Sequence, residues 1–230
     1  MNKSRLLGAV CACIFSLVGT TQQANAALIT TPSGLSAGDK YRLVFVTSGT
    51  RDATSSNIAD YNTFVTNAAN AVPELAALGT QWFVIGSTPL VNVRDNTGTS
   101  LPGGLPIFLL NDTKLVDDYS DLWDNNIDVP LNRTEMDTEI SGRVFSGSDG
   151  FGATDGLALG NTTLGRVTYG LSNSANGQDW IRTQNEASDI PLHFYAISGE
   201  LTAVPVPAAV WLFGSGLLGM IGIARRKRAA

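Results

Sequence analysis

Residues 40–47 read KYRLVFVT, with apolar positions alternating closely enough to predict a strand. From residue 57 to 72 the period changes. Ile58, Tyr61, Val65, Ala68, Ala69 and Val72 recur at three- and four-residue spacing, the apolar face of a helix. Asn57 is placed to cap that helix, Asp60 to sit near the positive end of its dipole, and Pro73 to end or kink it. QWFVIG, residues 81–86, predicts a buried strand, and residues 106–110 a short one. Residues 112–128 and 146–165 are rich in Asn, Asp, Ser, Thr and Gly and read as loops. Strands are expected to resume over 165–170, 179–183 and 192–201. One main helix among mixed short strands, with a long irregular section between them, is an α+β pattern. No internal repeat interrupts it.

The two ends follow a different pattern. Lys3 and Arg5 precede an almost unbroken apolar run over residues 6–19, and Ala24-Asn25-Ala26 supplies a small-x-small cleavage site. The run is shorter than the roughly 20 residues a bilayer requires. Residues 1–26 are therefore expected to be a secretory signal helix, cut after Ala26 with Ala24 as the other small residue. The mature chain would begin at Ala27, and residues 27–203 would form one exported domain. At the other end, Val204-Pro205-Val206-Pro207 leads into an apolar run over 208–224 and then Arg225-Arg226-Lys227-Arg228. A helix over that run would reach about 25 Å, the low end for a transmembrane helix. The prolines keep a helix from running on out of the domain. The four cations form a stop-transfer block held on the cytoplasmic side, which leaves the body of the protein outside the cytoplasm.

The charge balance changes once the ends are set apart. The whole chain of 230 residues has a formal net charge of −5 and a pI near 4.8. Six of its 15 basic residues lie in the two ends, whereas all 20 acidic residues lie between them, so residues 27–203 carry −11. Such a surface excludes nucleic acid as a partner and repels anionic polymers. Cys11 and Cys13 both fall in the leader. The exported domain must therefore hold together by its core, without disulfides.

The C-terminal residues resemble the PEP-CTERM sorting signal in its VPLPA-CTERM form. The likeness is carried by Val204-Pro205-Val206-Pro207-Ala208-Ala209, by the stretch WLFGSGLLG at 211–219, and by Ala224-Arg225-Arg226-Lys227. Val206 stands where the best-known form has Glu or Leu. The resemblance implies a Gram-negative bacterium with an exopolysaccharide locus, and an exosortase that cleaves near the motif and releases or re-anchors the protein. The order of stretches in the middle resembles a C-type-lectin-like domain of the endostatin-like variety. It runs YRLVFVT at 41–47, the helix at 57–72, WFVIGST at 82–88, YSDLWDN at 119–125, RVFSGSDG at 143–150, and DWI with LHFYAISGEL at 179–181 and 192–201. The lectin cysteines are missing, Ala196 standing where the last is expected. The calcium- and sugar-binding tripeptides are not cleanly present either, so this likeness implies a fold more than sugar binding.

Candidate chemistry is sparse. His193 is the only histidine and lies on an expected strand, with no Gly-x-Ser-x-Gly elbow and no mature cysteine to serve as nucleophile. It reads as structural, and no catalytic residue is assigned. Asp117, Asp118, Asp121, Asp124 and Asp128, with Asn125 and Asn126, crowd twelve positions. Oxygen-only ligands suit calcium, as a weak site without EF-hand spacing, and calcium is the one cofactor considered. The alternative is a solvated loop whose Asp and Asn side chains make turns and caps. Asp149-Gly150 and Asp155-Gly156 read as ordinary turn signals. Trp82, Trp123 and Trp180 would stack on sugar rings if exposed together, but in strands and short helices they read as core. The expectation is a non-enzymatic exported protein held in the membrane by its C-terminal helix; the PEP-CTERM resemblance implies processing by an exosortase and association with extracellular polysaccharide. An extracellular hydrolase acting on glycans is the alternative, and a pocket lined by two close carboxylates would favour it.

Overall fold

A computed structural model describes residues 28–161 and 163–204. The signal segment with Ala24 and Ala26, the motif residues Pro205, Val206 and Pro207, the apolar run 208–224, and Arg225, Arg226, Lys227 and Arg228 lie outside the described residues. Among the described residues no helix is long and apolar enough to cross a membrane.

The fold is α+β, built on one mixed nine-stranded sheet. Its central pair is β1 (Lys40–Val46) and β8 (His193–Ser198), antiparallel, with Val44 opposite Ile197. On the free side of β1 lie β3 (Ile107–Leu109), parallel, and then β4 (Lys114–Val116). The other edge of β8 is shared by β2 (Trp82–Val84) and β5 (Arg143–Phe145). Beyond β5 come β6 (Arg166–Leu171) and the edge strand β7 (Gln184–Ala187). A two-residue strand, β9 (Leu201–Thr202), closes back on the start of β1.

Strand β1 is buried on both faces, and its alternation divides the interior in two. Tyr41, Leu43 and Phe45 point into a core with helix α1 (Ile58–Asn70), while Val44 and Val46 point into a second core on the opposite face. The helix forms as its sequence pattern requires. Asn57 caps it by accepting from the Ala59 N–H at 3.2 Å, and Tyr61, Val65 and Ala69 are buried against Trp82 and Phe194. Pro73 opens a further short helix, α2 (Pro73–Ala76), instead of simply ending the chain's helical run. The helix also satisfies the outer edge of β2. Asn62 Oδ1 accepts from the Val84 N–H at 2.8 Å, and Asn96 of α3 (Val93–Thr97) donates to the Val84 carbonyl at 2.8 Å.

Loops and short helical turns cover the other face. Trp123, Ile127, Leu131, Trp180 and Ile181 fill it around Val144 and Tyr195. Here the expected strand at 179–183 is corrected. Residues Gly177–Trp180 form a 3₁₀ turn that drops Trp180 into the core, and the strand begins afterwards at Gln184. The loop-rich stretch 112–128 also holds β4 and a one-turn helix, α4 (Tyr119–Leu122).

Candidate ligand clefts and the sorting tail

The irregular segment 146–161 is held as firmly as a strand. Ser87 donates its N–H to the Ser146 carbonyl at 2.8 Å, Leu159 donates to the Ser87 carbonyl at 2.9 Å, and Gly160 donates to the Ala53 carbonyl at 2.8 Å. Gly147, at φ +60°, makes this approach feasible, since a Cβ there would lie 2.5 Å from the Leu159 nitrogen. The segment thereby delivers Asp155 to the outer part of β6. Asp155 donates its own N–H to the Gly147 carbonyl at 3.0 Å.

Asp155 lies where two open clefts meet. One, of about 550 Å³, runs past Pro89, Gly156 and Asn161; the other, of about 330 Å³, runs past Gln178, Arg182, Gln184 and Asn185. Between them both oxygens of the Asp155 carboxylate are bonded. Its Oδ2 accepts from the Thr168 hydroxyl at 2.5 Å and from Arg182 Nε at 3.1 Å, and its Oδ1 accepts from the Gly156 N–H at 2.7 Å. Arg182 remains nearly half exposed. The result is a polar trough with one fixed carboxylate, one guanidinium and several amides and hydroxyls. That mixture can donate to and accept from the hydroxyl groups of a neutral ligand. A third cleft lies beside Asn62 and Gln81 and has no carboxylate in its lining, and a fourth beside Arg94 has only Asp95.

The acidic run at 117–128 is arranged as caps and turns. Asp117 pairs with Lys114, and Asp118 caps α4 by accepting from the Ser120 and Asp121 N–H groups at 2.6 and 3.0 Å. Asp121 accepts from the Asp117 N–H at 2.7 Å, Asp124 accepts from the Asn126 N–H at 3.0 Å, and Asp128 is exposed. These short side chains reach their own backbone before they can reach one another. Among the described residues no group of three or more His, Cys, Asp or Glu side chains comes together to hold a metal ion.

His193 sits at the start of β8 with Nδ1 2.7 Å from the Thr47 carbonyl, so its ring is tied to the turn after β1. Trp82 and Trp180 are fully buried and Trp123 is 3% exposed, so the three indoles form no outer face for stacking. The two residues that shape the trough, Asp155 and Arg182, escape the sequence reading. They are 27 positions apart in the chain, and the Asp-Gly at 155–156 carries only a turn signal.

The last described strand ends next to the C-terminal motif. Ala203 is buried, donates its N–H to the Asp39 carbonyl at 2.8 Å, and accepts from the Gly38 N–H at 2.9 Å. Val204, the first motif residue, is 68% exposed. Residues 203–228 match the family of the PEP-CTERM protein-sorting motif. This chain carries a PEP-CTERM tail. The tail marks it as an exported protein sorted to the cell envelope by an exosortase-type enzyme. No curated protein matches the chain.

Proposed function

We propose that the PEP-CTERM tail delivers a non-enzymatic, lectin-like ectodomain that associates with extracellular polysaccharide. The observation that carries this reading is the Asp155 trough. Sugar hydroxyls need donors and acceptors held in fixed positions, and the trough offers both on a segment locked to the sheet. Its lining also supports binding over hydrolysis. Two-carboxylate glycoside hydrolysis needs a second acid roughly 5–9 Å from the first, and among the described residues Asp155 is the only acid lining either arm of the trough. Asp155 holds Arg182 and Thr168 through Oδ2, and its Oδ1 keeps a second lone pair for a sugar hydroxyl.

The test is to incubate full-length protein, in detergent, with a panel of neutral oligosaccharides. Binding is read by calorimetry and cleavage by release of reducing ends. Saturable binding that Asp155→Asn weakens at least several-fold, without new reducing ends, supports the proposal. Release of reducing ends would turn the reading to the hydrolase, and absence of binding to every sugar would remove it.

A further inference from the structure

We propose that the cleft beside Arg94 and Phe151 is a separate subsite for a uronic acid unit, a sugar ring bearing one carboxylate. The starting point is a charge left over. Among the described residues the other eight Lys and Arg side chains each have an ion pair or a hydrogen bond, such as Arg182 with Asp155, Arg51 with the Asp60 carbonyl and Arg42 with the Thr97 carbonyl. Arg94 has neither, and its Nε is buried without a partner. In a domain carrying −11, a half-buried guanidinium without a carboxylate is an unusual arrangement, because carboxylates are plentiful.

Its surroundings are built and rigid. The guanidinium lies over the Trp123 ring, 5.8 Å from its centroid, and that indole is fixed by donating to Thr99 Oγ1 at 2.9 Å. The loop 149–153 packs against both of them. Asp149 Oδ1 accepts from the Phe151 and Ala153 N–H groups at 3.0 and 2.8 Å. Gly152 in this loop has φ +72°, and a Cβ there would lie 2.6 Å from Arg94 Nε, so only glycine lets the loop seat against the guanidinium. The same loop holds Phe151 57% exposed at the mouth of a cleft of about 300 Å³. A planar cation and an exposed aromatic ring are thus fixed side by side, with Asp95 and Ser100 alongside them.

Each element matches part of one ligand. A guanidinium fork pairs with a carboxylate by two parallel hydrogen bonds. The apolar face of a sugar ring packs on an aromatic ring. Asp95, already accepting from Ser100 Oγ at 2.9 Å, has a second oxygen for a ring hydroxyl. The domain's negative field disfavours a doubly charged phosphate or a dense polyanion here, and admits a single carboxylate at the one cation left uncommitted among the described residues.

This inference rests on the polysaccharide reading, but it concerns a different cleft, so the two fail separately. Full-length protein in detergent is titrated with methyl glucuronide, methyl glucoside and acetate, followed by saturation-transfer NMR and calorimetry. Methyl glucuronide is expected to bind at millimolar concentration, about tenfold or more tighter than either control. Raising the ionic strength should weaken the glucuronide and acetate and leave the glucoside unchanged. Arg94→Gln should abolish the preference for glucuronide over glucoside. Phe151→Ala, an exposed change that leaves folding intact, should weaken the glucuronide and leave the acetate unchanged. Equal affinity for glucuronide and glucoside, or for glucuronide and acetate, overturns the subsite, as does a preference that survives Arg94→Gln. Neutral oligosaccharide binding that is lost in Asp155→Asn, beside no glucuronide preference, would overturn this subsite while leaving the proposed function standing.

Discussion

Arg182 donates through Nε to Asp155 Oδ2 at 3.1 Å, and so joins the chain just after the 3₁₀ turn Gly177–Trp180 to the irregular segment before β6. The bond links the loops at the two ends of β6, and it fixes the floor of the trough. Asp155→Asn should remove the ion pair while keeping an acceptor for Thr168. The expected cost is about 1 kcal/mol, the scale of a charge-assisted hydrogen bond at a partly exposed site. Thermal unfolding followed by circular dichroism should show a fall of about 2–4 °C. A loss much larger than this would mean that the pair holds the fold together, beyond shaping the trough.

Two glycines in the same region should respond differently to alanine. Gly147 has φ +60°, and an added Cβ would lie 2.5 Å from the Leu159 nitrogen and 2.7 Å from the Ser87 oxygen, both backbone atoms that cannot swing aside. Gly147→Ala should cost upwards of about 2 kcal/mol through strain and displaced backbone bonds. Gly156 has no atom within 4 Å of an added Cβ and no positive φ. Gly156→Ala should change stability by less than about 0.5 kcal/mol. Denaturant melts of the two variants side by side check the contrast.

Asp137 sets a pH dependence of stability. Burial raises its carboxyl above the ordinary value, and Arg133, 3.9 Å away and too distant for a hydrogen bond, only partly opposes this. Its Oδ1 has no partner. A carboxyl whose pKa is higher folded than unfolded contributes stability below its unfolded pKa and loses it as the pH rises through the folded one. At neutral pH the Asp137 charge is therefore unfavourable. Asp137→Asn, which also tolerates the backbone φ of +56°, should raise the melting temperature at pH 7 by about 1–3 °C. The gain should vanish near pH 3, roughly where the aspartate is protonated in both states. Melting curves across that range would refute this if the gain were constant.

The fold was most legible where one element meets one core. Helix α1 and strand β1 bury faces that repeat at the period of their own backbone, and Asn57 supplies a local cap, so neighbouring residues carry the whole signal. The run at 179–183 was misleading for the same reason. Trp180 and Ile181 are apolar because they plug the core, and a 3₁₀ turn buries such residues as well as a strand does. The trough was not legible, because its floor depends on Asp155 meeting Thr168, Arg182 and the Gly147 carbonyl, all distant pairings made by tertiary packing. The acidic run at 117–128 shows the reverse. It looked like a site because its carboxylates are close in sequence, but closeness along the chain favours capping and turn bonds over convergence.

Removal of residues 205–230 should leave the ectodomain folded. Among the described residues both cores lie before Val204, and Ala203 is bonded to Gly38 and Asp39. Cell fractionation with protease digestion should find the truncated product soluble and resistant. A product that is degraded would place the tail within the fold. Replacing Arg225, Arg226, Lys227 and Arg228 by serine should instead affect sorting, because each cation carried to the bilayer centre costs about 2.5–3.5 kcal/mol. Altered orientation or escape of unprocessed protein is the expected result, read by tagging each end.

The bond between Ala203 and the start of β1 also decides how the protein yields to force. A pull on the tail enters at Val204 and acts on the end of β9, whose ladder to β1 has only two residue pairs, Lys40 with Thr202 and Tyr41 with Leu201. Tension applied at that free end opens the bonds one after another, as a zip does, and does not shear them together. Each freed residue lengthens the tether by about 3.3 Å. The short terminal strand is therefore a mechanical fuse: it gives way and pays out slack before strain reaches β8 and the aromatic interior behind it.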